Sequence, residues 1–195
     1  MDITSEQIKA LREKTGISVM QCKKALEEAE GDEAKAIIIL KKKGAEQAAK
    51  KADREFGAGI VEAYIHSNGL VGSMVELASE TDFVSNNAEF KTLAKDIAMQ
   101  ITATAPDFLK SSDIDETAAE KARELFTKEA ADKPADLQEK IIQGKMDSYF
   151  KDQVLLNQDF IKNPEMTIQM MLDNAMQKFG ERIEIIKFTR FEIGK

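Results

Sequence analysis

Cysteine and histidine each occur once in 195 residues, as Cys22 and His66. One thiol excludes an internal disulfide framework and points to a reduced compartment, with the cytoplasm as the default. The two groups lie far apart in sequence, so no nucleophile and base pair can be read from them. His66 near a hairpin end reads as an exposed side chain. Cys22, although followed by Lys23 and Lys24, reads as a packed thiol. Long apolar runs are absent as well. The longest, Ala36-Ile37-Ile38-Ile39-Leu40, is far short of the roughly 20 residues that span a bilayer. The start MDITSEQ shows neither a charged nor an apolar leader pattern. A positive net charge is missing too: the formal charge is −7, which disfavours direct nucleic-acid binding. No Walker loop, dinucleotide fingerprint or metal-ligand spacing is present, so neither cofactor nor metal is expected.

What the chain does contain is 43% apolar and 32% charged residues with both signs mixed, the composition of a globular domain. Three helical signals come first. Thr4 and Gln7 are placed as a capping box before Ile8, Leu11 and Thr15, and Gly16 follows. Ser18 and Gln21 repeat the box before Met20, Cys22, Ala25, Leu26 and Ala29. Asp32 then opens a third helix with Ala36, Ile37 and Leu40, ending before Gly44. Residues 1–52 therefore read as a three-helix bundle, with an exposed helical linker to about residue 57.

The period then changes from helical to alternating. Val61, Ala63 and Ile65 share one face, as do Val71, Val75 and Leu77, and Asn68-Gly69 lies between the runs. An antiparallel hairpin over about 59–78 is predicted, closed by a tight turn with positive φ at both residues. Phe90, Leu93, Ala94, Ile97, Ala98 and Ile101 mark a helix that ends near Pro106. Weaker stripes mark helices at 115–131 and 135–153, with Pro134 suited to the first turn of the second. A helix after Pro164 carries Ile168, Met171, Leu172 and Ala175. A last strand spans about 183–193, where the doublet Ile185-Ile186 suits a bulge. The fold class is α+β: a bundle, a helical linker, then a core over 58–195 with a three-stranded antiparallel sheet covered by helices.

One segment stands apart. In Thr81-Asp82-Phe83-Val84 a large aromatic falls in a strand-to-helix connection, off any periodic face. Spacing leaves two readings open: Phe83 is an exposed tip, or it folds beneath the next helix as a staple.

Leu11-Arg12-Glu13-Lys14-Thr15-Gly16, Met20-Gln21-Cys22-Lys23-Lys24-Ala25-Leu26, Lys43-Gly44 and Ala49-Lys50-Lys51, then Thr81-Asp82-Phe83-Val84 and the tail from Ile186 to Gly194, resemble in order and spacing the elongation factor Ts family. Gln21 stands where Asp is common, and Gly57-Ala58-Gly59 replaces a more usual Glu-Gly. The resemblance implies a non-enzymatic guanine-nucleotide exchange factor for elongation factor Tu, bound in its GDP-loaded and nucleotide-free states. It implies a ubiquitin-associated-like bundle that docks on the GTPase, with Arg12, Met20 and Lys23 as docking candidates. Met20 could instead be core, and Arg12 and Lys23 a solvated face. The resemblance also implies that Thr81, Asp82, Phe83 and Val84 displace groups around the magnesium ion. Longer members carry a second core subdomain and a coiled-coil hairpin, for which 195 residues leave no room, so a homodimer through the sheet-bearing part is expected. A plain adaptor and an enzyme are the rival readings, the latter lacking convergent titratable groups.

Overall fold

The computed structural model describes residues 3–194. The first two residues of the MDITSEQ start and Lys195 lie outside them. Helices α1 (Ser5–Thr15), α2 (Val19–Glu28) and α3 (Glu33–Ala49) open the chain. The Thr4/Gln7 capping box forms, Ser18 and Asp32 cap α2 and α3, and Gly16 closes α1 with φ 70°. Leu11, Ile17, Cys22, Ala25, Leu26, Ala29, Ala36 and Leu40 meet in one apolar cluster. Met20 is not among them; it is 69% exposed, so its core reading falls.

Helix α3 does not stop at Gly44 but runs through it to Ala49. Gly44 is buried because helix α8 (Ile168–Phe179) crosses there: a Cβ would lie 2.8 Å from Gln177 Nε2 and 3.4 Å from Asp173 Cβ. The segment that follows is exposed at most positions, as read, but it is tethered to the core. Ala48 packs on the core, Lys51 Nζ donates to Met176 O at 3.0 Å, and Arg54 reaches Glu80. These partners are distant in sequence, so the local pattern shows the linker but not its tethers.

Strands β1 (Ala58–Ile65) and β2 (Val71–Ser79) form the predicted hairpin, and β5 (Ile183–Glu192) pairs antiparallel with β2, giving the order β1-β2-β5. The register shifts between Glu76 and Leu77, where Glu76 faces Lys187 and Leu77 faces Ile185. Ile186 is the extra residue, as the doublet predicts. The turn differs from expectation: Gly69 alone takes positive φ, and its N–H donates to His66 O at 2.8 Å in a longer loop. Ile60, Glu62 and Tyr64 turn toward the core, leaving Val61, Ala63 and Ile65 outward.

Short α4 (Asp82–Ser85) leads into α5 (Ala88–Thr104), which buries Phe90, Leu93, Ala94, Ile97, Ala98 and Ile101 against the sheet. Ala105 ends α5 at φ 48°, just before Pro106. Helix α8 (Ile168–Phe179) adds Ile168, Met171, Leu172, Ala175 and Met176 to the same core. A small ribbon, β3 (Asp159–Phe160) with β4 (Asn163–Thr167), precedes α8 and is an addition to the predicted elements. The buried Gln100 side chain braces it, accepting from Ile161 N at 2.9 Å and donating to Asp159 O at 3.2 Å. Pro134 is the N-cap of its helix rather than a residue of the first turn.

Helices α6 (Glu116–Ala130) and α7 (Ala135–Gln153) form an antiparallel hairpin with an apolar cluster of its own: Ala122, Phe126, Ala130 and Ile142. These are the two weakly striped helices predicted at 115–131 and 135–153.

Asp173 faces the α3 crossing at 9% exposure. Burial holds its carboxyl above the usual carboxylate range, and the hydrogen bond from Gln169 only partly offsets this. A carboxyl whose pKa is higher when folded stabilises the fold at low pH, and that contribution is lost as pH rises through the folded pKa. Asp173→Asn should therefore raise Tm by a few degrees at pH 7–8. The gain should vanish as pH falls below the ordinary value of 3.8; calorimetry across pH checks it.

Candidate functional site

Among the described residues no group of His, Cys, Asp and Glu is placed to hold a metal ion, and no helix is long and apolar enough to cross a membrane. Cys22 is fully buried beside Thr15, and burial raises its thiol pKa. An unreactive packing role follows. His66 is exposed, with Tyr64 Oη 3.4 Å from its Nδ1. Neither residue meets the other.

The Thr81-Asp82-Phe83-Val84 segment is different. Thr81 ends the extended stretch at φ −131°, and α4 then makes one helical turn. Residues on a helix rotate about 100° each, so consecutive side chains point to different sides. Val84 is 1% exposed and enters the main core, whereas Phe83 is 83% exposed. Of the two readings of Phe83, the exposed tip is the one the structure shows. Asp82 is exposed beside it.

Side chains and backbone hold the turn from both ends. Asn86 N–H donates to Asp82 O at 2.9 Å, and Ser79 Oγ donates to Thr81 O at 3.0 Å. Thr81 makes no side-chain cap to α4. Its hydroxyl donates instead to Glu181 at 2.5 Å, and its backbone N–H donates to the other oxygen of the same carboxylate at 3.0 Å. Next to it, Glu80 accepts from Arg182 N at 2.5 Å and from Arg54 at 3.0 Å. Burial alone would raise the Glu80 carboxyl, but the Arg182 backbone hydrogen bond and the Arg54 guanidinium outweigh it and leave the pKa lowered.

The docking candidates separate. Arg12 and Met20 line one cleft of about 480 Å³ between the bundle and α8, together with Ile17, Lys24, Asn174 and Lys178. Lys23 lies outside that lining and pairs with Glu27 at 3.8 Å. Sequence reasoning missed Lys178 and Glu181. Both sit near the end of α8, and only the tertiary crossing brings them to the bundle and to Thr81.

A third surface is the outer face of the sheet. Val61, Ile65, Phe191 and Ile193 are each more than 60% exposed, and Met74 and Leu70 extend the patch.

The sequence profile of the family described as Elongation factor TS matches residues 6–195. Proteins named Elongation factor Ts are similar over nearly full length. The one from Carboxydothermus hydrogenoformans is 48% identical over 99% of this chain and 90% of its own length. That of Alkaliphilus metalliredigens is 47% identical over 100% and 91%, and that of Thermodesulfovibrio yellowstonii is 46% identical over 100% and 98%. An α+β protein with an exposed aromatic turn and relatives of this kind is a translation elongation factor. The chain belongs to the elongation factor Ts family.

The exposure contrast across α4 sets a stability test. Phe83→Ala should change unfolding free energy by no more than about 0.5 kcal/mol, as for ordinary surface positions. Val84→Ala should cost about 2 kcal/mol from two lost methyl groups and the cavity they leave. Urea denaturation followed by circular dichroism measures both.

Proposed function

We propose that the chain is a guanine-nucleotide exchange factor for elongation factor Tu, acting in the elongation phase of protein synthesis in the cytoplasm. The observation that carries this reading is Phe83, an aromatic side chain 83% exposed at the end of a turn whose next residue is buried. A rigidly mounted apolar tip can enter a pocket on a partner and move the groups that line it. With Asp82 beside it, the tip disturbs the magnesium and phosphate surroundings, GDP leaves and GTP takes its place. No bond is made or broken, so the protein is not an enzyme, and it needs no cofactor of its own.

Linkage governs the exchange. A factor that weakens nucleotide binding must itself bind the nucleotide-free GTPase more tightly than the loaded one. Speeding release about a thousandfold requires about 4 kcal/mol of relative transition-state stabilisation. Burying one Phe supplies roughly 1.5–3 kcal/mol. Docking surfaces supply the remainder, and Arg12 and Met20 on the bundle are suited to it by exposure and proximity. Lys23 on α2 adds a charge on the same ubiquitin-associated-like module.

The homodimer belongs to the same proposal. Large exposed apolar patches mark interaction surfaces, and among the described residues the outer sheet face presents Val61, Ile65, Met74, Phe191 and Ile193 without a covering layer. A second copy docking by a two-fold axis would bury the patch against itself. Nucleic acid is not expected as a direct partner, given the charge of −7.

Release of fluorescent GDP from elongation factor Tu, with excess unlabelled nucleotide, tests the exchange reading. The parent should accelerate release at substoichiometric amounts and Phe83→Ala should be slower by about tenfold or more. Binding without acceleration would leave an adaptor. Sedimentation equilibrium tests the dimer: the parent should sediment as two chains and Phe191→Glu as one, and a monomeric parent at micromolar concentration would remove the proposal.

A further inference from the structure

Two connections run side by side next to Phe83. One leads from β2 into α4 through Glu80 and Thr81; the other leads from α8 into β5 through Gly180, Glu181 and Arg182. They are laced reciprocally. Glu80 of the first accepts the backbone N–H of Arg182 at 2.5 Å, and Glu181 of the second accepts the backbone N–H and hydroxyl of Thr81 at 3.0 and 2.5 Å. Each carboxylate thus satisfies a backbone donor of the opposite connection. Arg54 joins the two by donating to Glu80 and to Gly180 O, while the Arg182 guanidinium donates to Arg54 O and lies over the Phe56 ring.

The turn needs such a device. Four residues are too few for a helix to be stable by itself, and its N-cap residue, Thr81, lends its hydroxyl to Glu181 rather than to an α4 N–H. Phe83 lies two residues past Thr81, whose N–H and hydroxyl are both fixed by a group 100 residues away, while Ser79 Oγ holds its carbonyl. Consecutive side chains of a helical turn lie about 100° apart, so the setting of the backbone at Thr81, together with the seat of Val84 in the core, decides where the aromatic tip points.

We infer that Glu181 is a positioning residue for exchange: its two-pronged grip on Thr81 holds Phe83 in its working direction, with Glu80 fixing the connection from which Glu181 reaches. The inference rests on the exchange reading of Phe83 and adds the group that aims it.

The test uses the full chain and follows GDP release from elongation factor Tu over a range of factor concentrations. Glu181→Ala should lower the maximal rate about tenfold, the scale of losing a charged hydrogen-bond partner, and leave the half-saturating concentration unchanged, because the bundle still docks. Glu181→Gln should retain most activity, since its amide can accept from the N–H and donate to the hydroxyl. In a Phe83→Ala background, Glu181→Ala should cause no further loss, as groups acting through one another are non-additive. Thermal melts verify folding, and if the alanine variant does not fold, Thr81→Val removes the hydroxyl prong alone and should lose part of the rate. Parent-like rates for Glu181→Ala or Thr81→Val would overturn the inference. So would an equal loss in both backgrounds, which marks a general structural effect. If Phe83→Ala is slow but Glu181→Ala is not, only the aiming role fails; if Phe83→Ala matches the parent, the exchange reading itself fails.

Discussion

The turn of α8 that carries Met171, Leu172, Asp173 and Asn174 faces two neighbours at once. Met171 and Leu172 join the main core. Asp173 lies against α3 at Gly44, and Asn174 Nδ2 donates to Thr15 O at 2.6 Å, the carbonyl at the end of α1. Asn163, just before α8, donates to Lys14 O at 3.2 Å in the same way. The last carbonyls of a helix have no partner within it, and here side chains from the other part of the molecule supply partners. Apolar burial brings the parts together without direction, while these hydrogen bonds select one orientation. The rod so fixed lines the Arg12 and Met20 cleft with Asn174, Gln177 and Lys178 and delivers Glu181 just past its end. From Asn174 to Gly180 the rise is only about 9 Å.

Phe83 breaks the rule that large apolar side chains seek the interior, and it does so beside residues that obey it. Such local disagreement in an otherwise consistent sequence is characteristic of sites that serve a partner. The grip of Glu181 on Thr81 and of Arg54 on Glu80 is formed at the surface, where water competes and each bond contributes little to stability. Their value lies in direction, since a tip that enters a pocket already oriented loses less freedom on binding.

Much of the architecture is legible from periodicity. The α5 stripe reads correctly at all six positions, and even the bulge is visible, because two adjacent isoleucines break a period of two. Wherever the deciding partner is remote, legibility ends. Gly44 reads as a helix stop until α8 occupies the space beside it. The β3 and β4 ribbon is too short for a period and is braced by Gln100, about 60 residues upstream. On β1 the alternation is plain but its inward sense is not: Val61, Ala63 and Ile65 are as apolar as a core face, yet α5 covers the other side. At the site, Phe83 is conspicuous in the sequence, whereas Glu181 follows a helix-ending glycine and carries no local sign of the residue it holds.

The helical hairpin has a geometry whose consequence concerns chain length. Its two stems meet at one place: Phe108 N donates to Gln153 O at 3.1 Å, and Leu155 N donates to Phe108 O at 2.9 Å. The chain leaves the core and re-enters it through the same doorway, and between the two crossings it packs on itself. Material added to or removed from the tip of that excursion changes only a loop's closure entropy, which grows slowly with length. The register of the sheet and the seat of α8 are indifferent to it. This doorway is where the fold can tolerate evolutionary growth and shrinkage, so that proteins of unequal size can keep the same sheet, the same bundle and the same aromatic turn.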